Sequence, residues 1–186
     1  MKAIIISGMP AVGKTSVSKL VAGSLGCPVV GGGDVLKEMA VEEGYIPGGD
    51  DWWDTGEGMK FLRERKKSSD FDREVDARLK LKAKKGDVVI TSYPLPWLTE
   101  EGLKVWLSGS VKSRAARMSK RDGTPVSKCR EVLSVRDGEN RKLYKKIYDI
   151  DFGEDLAPFD LVVDTETISE ARVAEIVLRY VKGRKD

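Results

Sequence analysis

Short runs of apolar residues alternate along this chain with longer segments in which apolar residues recur at helical spacing. The runs predict buried strands at residues 2–7, 27–31, 87–92, 103–108 and 159–165. Helical segments separate most of these strands, and such an order favours strands that lie parallel to each other. The pattern therefore predicts an α/β fold, with a mainly parallel sheet that is covered by helices on both faces.

The predicted helices are bounded by residues that commonly start or end a helix. They cover residues 14–25, 35–43, 71–84, 111–121, 126–148 and 169–181. In the first helix, Val17, Leu20 and Val21 fall on one side and are expected to face the core. Asp34 is predicted to cap the second helix, because its carboxylate can accept a hydrogen bond from an amide of the first turn.

The 186 residues fit one domain, since the chain is 40% hydrophobic and 34% charged, as globular proteins are. We expect no membrane segment, because no apolar run approaches about 20 residues. The apolar run in MKAIII is too short for a secretory signal. Cys27 and Cys129 have no metal-binding spacing and are too few for a disulfide framework. These features favour a cytoplasmic location.

Histidine is absent from the chain, and its absence excludes several kinds of site. A catalytic triad built on histidine and an imidazole metal site are both impossible, and so is the commonest general base near neutral pH. Any chemistry must therefore use lysine, arginine, carboxylates, hydroxyl groups and the backbone.

Residues 8–15, GMPAVGKT, match the phosphate-binding pattern G-x-x-x-x-G-K-[ST] between a predicted strand and a predicted helix. The glycines let the backbone approach a phosphate closely, and the following amides form an anion site at the helix N-terminus. Lys14 would reach the β- and γ-phosphates, Thr15 would hold Mg²⁺ by its hydroxyl, and Ser16 would contact an inner phosphate. The predicted nucleotide-binding residues are Gly8, Met9, Pro10, Ala11, Val12, Gly13, Lys14, Thr15 and Ser16. The N-K-x-D motif of GTPases is absent, which favours a kinase.

A kinase of small molecules needs an arm that binds the acceptor and a basic lid that covers the phosphates. Residues 33–84 are predicted to form the arm within the single domain. Residues 112–146 are predicted to form the lid, because they contain 12 lysines or arginines against 4 acidic residues. Arg114, Arg117 and Arg121 are spaced by three and four residues and are expected to share one helix face. The alternative for this basic segment is an ordinary solvated helix face.

Three further segments resemble the nucleoside monophosphate kinases, and among them the archaeal type of cytidylate kinase. They are FDREVDARLKLKAKKGDVVI, VWLSGSVKSRAARMSKRDG and VRDGENRKLYKKIYDIDFGEDLAPFDLVVDT. The resemblance covers most of the chain and implies a P-loop kinase fold with a five-stranded parallel sheet, a monophosphate-binding arm and a helical lid. It also implies ATP and Mg²⁺ as co-substrates and CMP or dCMP as the acceptor, which would become CDP or dCDP.

The resemblance also implies roles for particular residues of the arm and the lid. The residues implied to grip the transferring phosphates, together with Lys14, are Arg117, Arg121, Arg136 and Arg141. The residues implied to lie against the acceptor or on the wall of its cleft are Asp34, Arg73 and Asp76.

Two departures from the family's pattern concern the acceptor phosphate. The family usually has an arginine where this chain has Lys37, and a Glu-Gly-Arg sequence where this chain has TSYPLPW after the third strand. Lysine binds phosphate as a point charge and does not reproduce the bidentate grip of arginine. Arg63 or Arg65 is therefore a candidate replacement. Trp52 and Trp53 either cover the acceptor pocket or pack the arm against the body.

The expected mechanism needs no strong general base, because a phosphate acceptor is already anionic near neutral pH. Two other functions remain open. One is a kinase of another small acceptor, such as another nucleotide, a sugar or a hydroxy acid, with Asp34 as a candidate base. The other is a nucleotide-dependent regulator or RNA-binding protein without acceptor chemistry, for which the basic segment leaves room. On the resemblance, we expect a monomer that binds small nucleotides, and neither a nucleic acid nor a membrane.

Overall fold

A parallel sheet of five strands forms the centre of the computed structural model, which describes residues 1–47 and 70–183. The strands are β1 Ile4–Gly8, β2 Val29–Gly31, β3 Val89–Thr91, β4 Leu103–Ser108 and β5 Leu161–Asp164. Their order across the sheet is β2-β3-β1-β4-β5, and each neighbouring pair is parallel. This sheet confirms the predicted α/β fold.

Seven helices are seen in the described part of the chain. They are α1 Lys14–Leu25, α2 Gly32–Glu42, α3 Asp70–Lys85, α4 Leu95–Leu98, α5 Val111–Asp122, α6 Val126–Tyr148 and α7 Glu170–Gly183. The single turn α4 was not predicted, although its sequence favours it, because proline is well suited to the first turn of a helix. Among the same residues, no helix is long and apolar enough to cross a membrane.

The strand β1 shows how helices come to cover both faces of the sheet, because its isoleucines alternate between the two faces. Ile4 and Ile6 lie in a buried cluster with α1 and α7, whereas Ile5 lies in a second cluster with α2 and α3. All three isoleucines are almost completely buried. The continuous apolar run that predicted this strand is thus explained by burial on both faces.

Two local predictions about helix faces and caps were wrong. Leu20 is 42% exposed, because α7 covers the side of α1 that carries Val21 and Ala22. Asp34 lies within the first turn of α2 and does not precede it, because the helix begins at Gly32. Its carboxylate still stabilises the start of the helix, since it accepts a hydrogen bond of 2.7 Å from the backbone N–H of Gly31.

A cluster of aromatic side chains packs where β4 meets α6 and the segment after it. Its buried members include Trp106, Tyr144 and Phe152, and the TSYPLPW segment adds Tyr93 and Trp97. The rings meet mostly edge to face, with Trp106 and Phe152 separated by 5.6 Å between centroids. The cluster fixes the segment that follows β3, and this segment borders the site described next.

Candidate functional site

The phosphate loop joins β1 to α1 and needs glycine at two positions for different reasons. Gly8 has a φ of 150°, and a Cβ atom there would lie 2.4 Å from the carbonyl oxygen of Leu107. Gly13 has a φ of 104° and caps α1, and the space around it is open. Gly8 is therefore required for close packing as well as for its backbone angle, whereas Gly13 is required for its angle alone. The first turn of α1 carries no acidic side chain, which leaves its amides available to an anion.

Lys14 folds back over this loop. Its Nζ donates hydrogen bonds of 2.8 Å to the carbonyl oxygen of Gly8 and 2.9 Å to that of Met9. The same ammonium lies 4.5 Å from the centroid of the Tyr93 ring. Loss of water contact, followed by the positive charges of Arg136 and then Arg114, lowers the pKa of Lys14 to about 7. A negatively charged phosphate bound beside Lys14 would therefore favour the charged form of its side chain.

A cleft with a volume of about 770 Å³ extends from the phosphate loop to the helices α2 and α3. It brings together five residues that the sequence placed in the nucleotide or acceptor site: Lys14, Thr15, Asp34, Lys37 and Asp76. The loop and the predicted acceptor arm therefore face one common space.

Glycine is also required on the floor of this cleft. A Cβ atom at Gly31 would lie 2.7 Å from the hydroxyl oxygen of Thr91 on the neighbouring strand. The bare backbone of β2 therefore leaves room between the two strand ends, at the edge of the sheet where ligands of α/β folds bind.

Asp76 and Arg73 join α3 to the end of α6. The Tyr148 hydroxyl donates a hydrogen bond of 2.7 Å to the Asp76 carboxylate, and Arg73 Nη2 donates one of 3.2 Å to the carbonyl oxygen of Ile147. Burial, together with the hydrogen bond to Asp76, raises the pKa of Tyr148. Asp76 lines the cleft, whereas Arg73 is directed to α6.

The four arginines implied to grip phosphates have different surroundings. Arg136 lies near Lys14 and Tyr93 and influences the pKa of both groups.

The other three arginines have other partners. Arg117 donates to both the hydroxyl and the carbonyl oxygen of Thr165. Arg121 pairs with Asp122 at 2.5 Å, and Arg141 lies 3.6 Å from Glu154. Their roles in transfer remain predictions, because each of these three would have to exchange its present partner for a phosphate.

Arg114, which the spacing places on one helix face with Arg117 and Arg121, is buried by a neighbouring helix. It is 3% exposed, because α6 packs against its side of α5. Its guanidinium donates to both carboxylate oxygens of Asp137, at 3.0 and 2.7 Å, and to the carbonyl oxygen of Pro10 at 3.1 Å. Arg114 thus links the two lid helices to the phosphate loop.

The donor groups present fit a magnesium ion that is bound mainly by phosphates and water. Thr15 lines the cleft beside Lys14 and offers a hydroxyl oxygen there. Within residues 1–47 and 70–183, no group of three or more acidic or cysteine side chains could form a metal site by itself. Mg²⁺ commonly keeps several waters and few protein ligands, so one threonine hydroxyl is sufficient.

Four predicted contributors to the acceptor site lie outside the described residues: Arg63, Arg65, Trp52 and Trp53. Two residues of the site were missed by sequence reasoning. Tyr93 follows the carboxyl end of β3, and that position was the available signal, since ligands bind beyond such strand ends. Tyr148 is the last residue of α6, and its contact with α3 has no signal in the local sequence.

The sequence and the fold were compared with those of known proteins. The model of the Cytidylate kinase-like family matches residues 3–167. A cytidylate kinase of Pyrobaculum aerophilum is 32% identical over 97% of this chain and 92% of its own length. A cytidylate kinase of Pyrococcus horikoshii is 33% identical over 94% of this chain and 85% of its own length. A shikimate kinase of Acinetobacter baumannii shares the fold, with a TM-score of 0.59 and 17% identity, and the match covers 100% of this chain and 95% of that one.

Proposed function

Because the chain belongs to the Cytidylate kinase-like family, we propose that it transfers the γ-phosphoryl group of ATP to CMP or dCMP, which yields CDP or dCDP. The observation that carries this proposal is the single cleft shared by Lys14 of the phosphate loop and by Asp34, Lys37 and Asp76 of the arm. A donor and an acceptor nucleotide bound in that cleft would meet at Lys14. The relatives named cytidylate kinase support CMP as the acceptor.

On the donor side, the amides at the start of α1 and the ammonium of Lys14 would bind the phosphates of ATP. Thr15 would hold Mg²⁺, which supplies positive charge to the β- and γ-phosphate oxygens when bound. Lys14 would exchange the carbonyl oxygens of Gly8 and Met9 for phosphate oxygens. Its pKa would then rise from about 7, because a dianionic neighbour favours the charged ammonium.

On the acceptor side, the monophosphate would lie between α2 and α3. Lys37 would bind its phosphate as a point charge, and Asp76 would face its base or sugar. No general base is needed, because the attacking phosphate oxygen is anionic. The residues of the site would therefore act by alignment and by stabilising charge in the transition state.

The lid helices α5 and α6 would supply further positive charge during transfer. Arg136 already lies near Lys14, whereas Arg117, Arg121 and Arg141 would move from their present partners to the phosphates. Guanidinium groups suit this task because each can bind two phosphate oxygens at once. We also infer that the protein acts as a monomer on free nucleotides in the cytoplasm, where ATP, Mg²⁺ and nucleoside monophosphates are available.

A side-by-side acceptor assay tests this proposal. ADP release from ATP would be followed with CMP, dCMP, UMP, AMP, GMP, shikimate and gluconate, each over a range of concentrations. We expect the largest kcat/KM with CMP or dCMP. A larger value with a hydroxyl acceptor, or no response to any acceptor combined with RNA binding at moderate salt, would replace the proposal by one of the alternative functions.

A further inference from the structure

Tyr93 lies at the point where the phosphate loop meets the acceptor cleft. It lies two residues after the end of β3, is half-buried, and is part of the cleft lining. The face of its ring lies 4.5 Å from Lys14 Nζ, within the range of a cation–π contact. No other aromatic contact of this lysine is seen among the described residues.

The ring of Tyr93 is held in place from three directions. Its backbone carbonyl accepts a hydrogen bond of 2.8 Å from the hydroxyl of Ser7 on β1. Its ring packs against Tyr144 of α6, at 6.2 Å between centroids, and edge to face against Phe152, at 5.7 Å. The orientation of the ring toward Lys14 is therefore fixed by the sheet, by the lid helix and by the aromatic cluster together.

The ring of Tyr93 presents an uncharged face to the ammonium. Burial raises the pKa of Tyr93, which keeps its hydroxyl protonated. The contact between Tyr93 and Lys14 is therefore made by the ring face.

We propose that Tyr93 is a positioning residue for phosphoryl transfer, which holds Lys14 by its ring face at the junction of loop and cleft. The proposal rests on the proposed kinase function. Its chemical basis is that the ammonium must be aligned before the transferring group arrives, because alignment in advance lowers the barrier. The TSYPLPW segment, which departs from the Glu-Gly-Arg sequence of the resembled kinases, supplies this neutral ring.

The experiment compares Tyr93→Leu, which removes the ring, with Tyr93→Phe, which keeps it. Tyr180→Phe is the control for the loss of a tyrosine hydroxyl outside the cleft, where that hydroxyl donates a hydrogen bond of 2.9 Å to the Asp160 carbonyl oxygen. Three quantities are measured: kcat and KM with ATP and CMP, the dissociation constant of ATP by calorimetry, and the melting temperature.

For Tyr93→Leu, we expect a lower kcat and an ATP affinity weaker by about tenfold, as for the loss of a buried cation–π contact. For Tyr93→Phe, we expect kcat and ATP affinity within about twofold of wild type, because the ring face over Lys14 is retained.

The proposal is overturned if wild type phosphorylates CMP while Tyr93→Leu matches Tyr180→Phe in kcat and ATP affinity, or if Tyr93→Phe loses as much ATP affinity as Tyr93→Leu. If wild type phosphorylates no monophosphate, the kinase proposal fails, and the ATP affinities of the two Tyr93 variants alone decide whether the ring positions Lys14. If Tyr93→Leu does not fold, Tyr93→Met takes its place as the variant without a ring, and the same comparison decides.

Discussion

Arg114 of α5 and Asp137 of α6 form a buried ion pair in which the guanidinium donates to both carboxylate oxygens, at 3.0 and 2.7 Å. The same guanidinium also donates to the backbone of the phosphate loop at Pro10 and to Gly109. Together these contacts use all three guanidinium nitrogens, so they specify how α5, α6 and the loop fit together. Arg136 directly precedes Asp137 in the sequence. The ion pair therefore also holds Arg136 near Lys14.

Breaking this ion pair on one side should destabilise the protein strongly. We expect Arg114→Met or Asp137→Leu to lower the free energy of unfolding by about 3–5 kcal/mol, because each leaves a buried charge without its partner. The double variant should lose much less than the sum of the two. Urea unfolding measures all three, and Arg121→Met, which breaks the exposed pair with Asp122, is the control with little expected change. Additive losses in the double variant would show that the two groups do not act as a pair.

The pKa of Lys14 predicts how stability depends on pH. In the unfolded chain this lysine has its ordinary pKa near 10.5, whereas the folded value is about 7. Between these values the unfolded state binds more protons, so the free energy of unfolding should rise with pH. In the nucleotide-free protein, the rise relative to Lys14→Met should approach at most about 1.4 kcal/mol per pH unit from pH 7 to 10.

Urea unfolding at four or five pH values would test this prediction, with Lys19→Met as the control for the loss of an exposed lysine from the same helix. An equal pH slope in wild type and Lys14→Met would contradict the depressed pKa. In activity assays, Lys14→Met should lose transfer by several orders of magnitude, because the ammonium is proposed to contact the donor phosphates.

The packing at Gly8 predicts that substitution by alanine has opposite effects on stability at two glycines, Gly8 of the phosphate loop and Gly23 of α1. Gly8→Ala should abolish ATP binding and lower stability, because its Cβ atom would collide with the Leu107 carbonyl oxygen. Gly23→Ala, inside α1 with open space around it, should stabilise the protein by about 0.5–1 kcal/mol. Calorimetric ATP titration and thermal melting of both variants check this, and normal ATP affinity of Gly8→Ala would refute the close packing of the loop.

The hydrogen bond between Tyr148 and Asp76 predicts an effect confined to the acceptor. Tyr148→Phe should raise the KM for CMP several-fold, because the Asp76 carboxylate loses the donor that orients it at the cleft. The KM for ATP should stay unchanged, and it serves as the internal control in the same assay. Equal changes in both KM values would indicate a general disturbance of α6 instead of a role at the acceptor.

Much of the fold could be predicted because the strongest patterns are local. The helix α6 was predicted as residues 126–148 and β4 as residues 103–108, and the structure has the same bounds. Residues with a positive φ bound both segments, since Gly102 directly precedes β4 and Asp149 directly follows α6. The phosphate loop was also predictable, since its spacing already encodes a strand, a turn and a helix start.

Contacts between elements could not be predicted in the same way. Helical spacing places Arg114 and Arg117 on one side of α5, but it does not reveal that α6 buries one of them against Asp137. The same limit applies to Tyr148, whose partner Asp76 is 72 residues away. Such long-range pairs depend on how helices pack, and a periodic pattern carries no information about the packing partner.

Transfer of labelled phosphate tests the central claim most directly. Wild type and Lys14→Met would be incubated with ATP labelled in the γ-phosphate, with and without CMP, and the products separated. We predict that wild type places the label in CDP and releases little inorganic phosphate, and that Lys14→Met forms almost no labelled CDP. Label released by wild type as inorganic phosphate, at the same rate with and without CMP, would contradict the claim that donor and acceptor meet in this cleft.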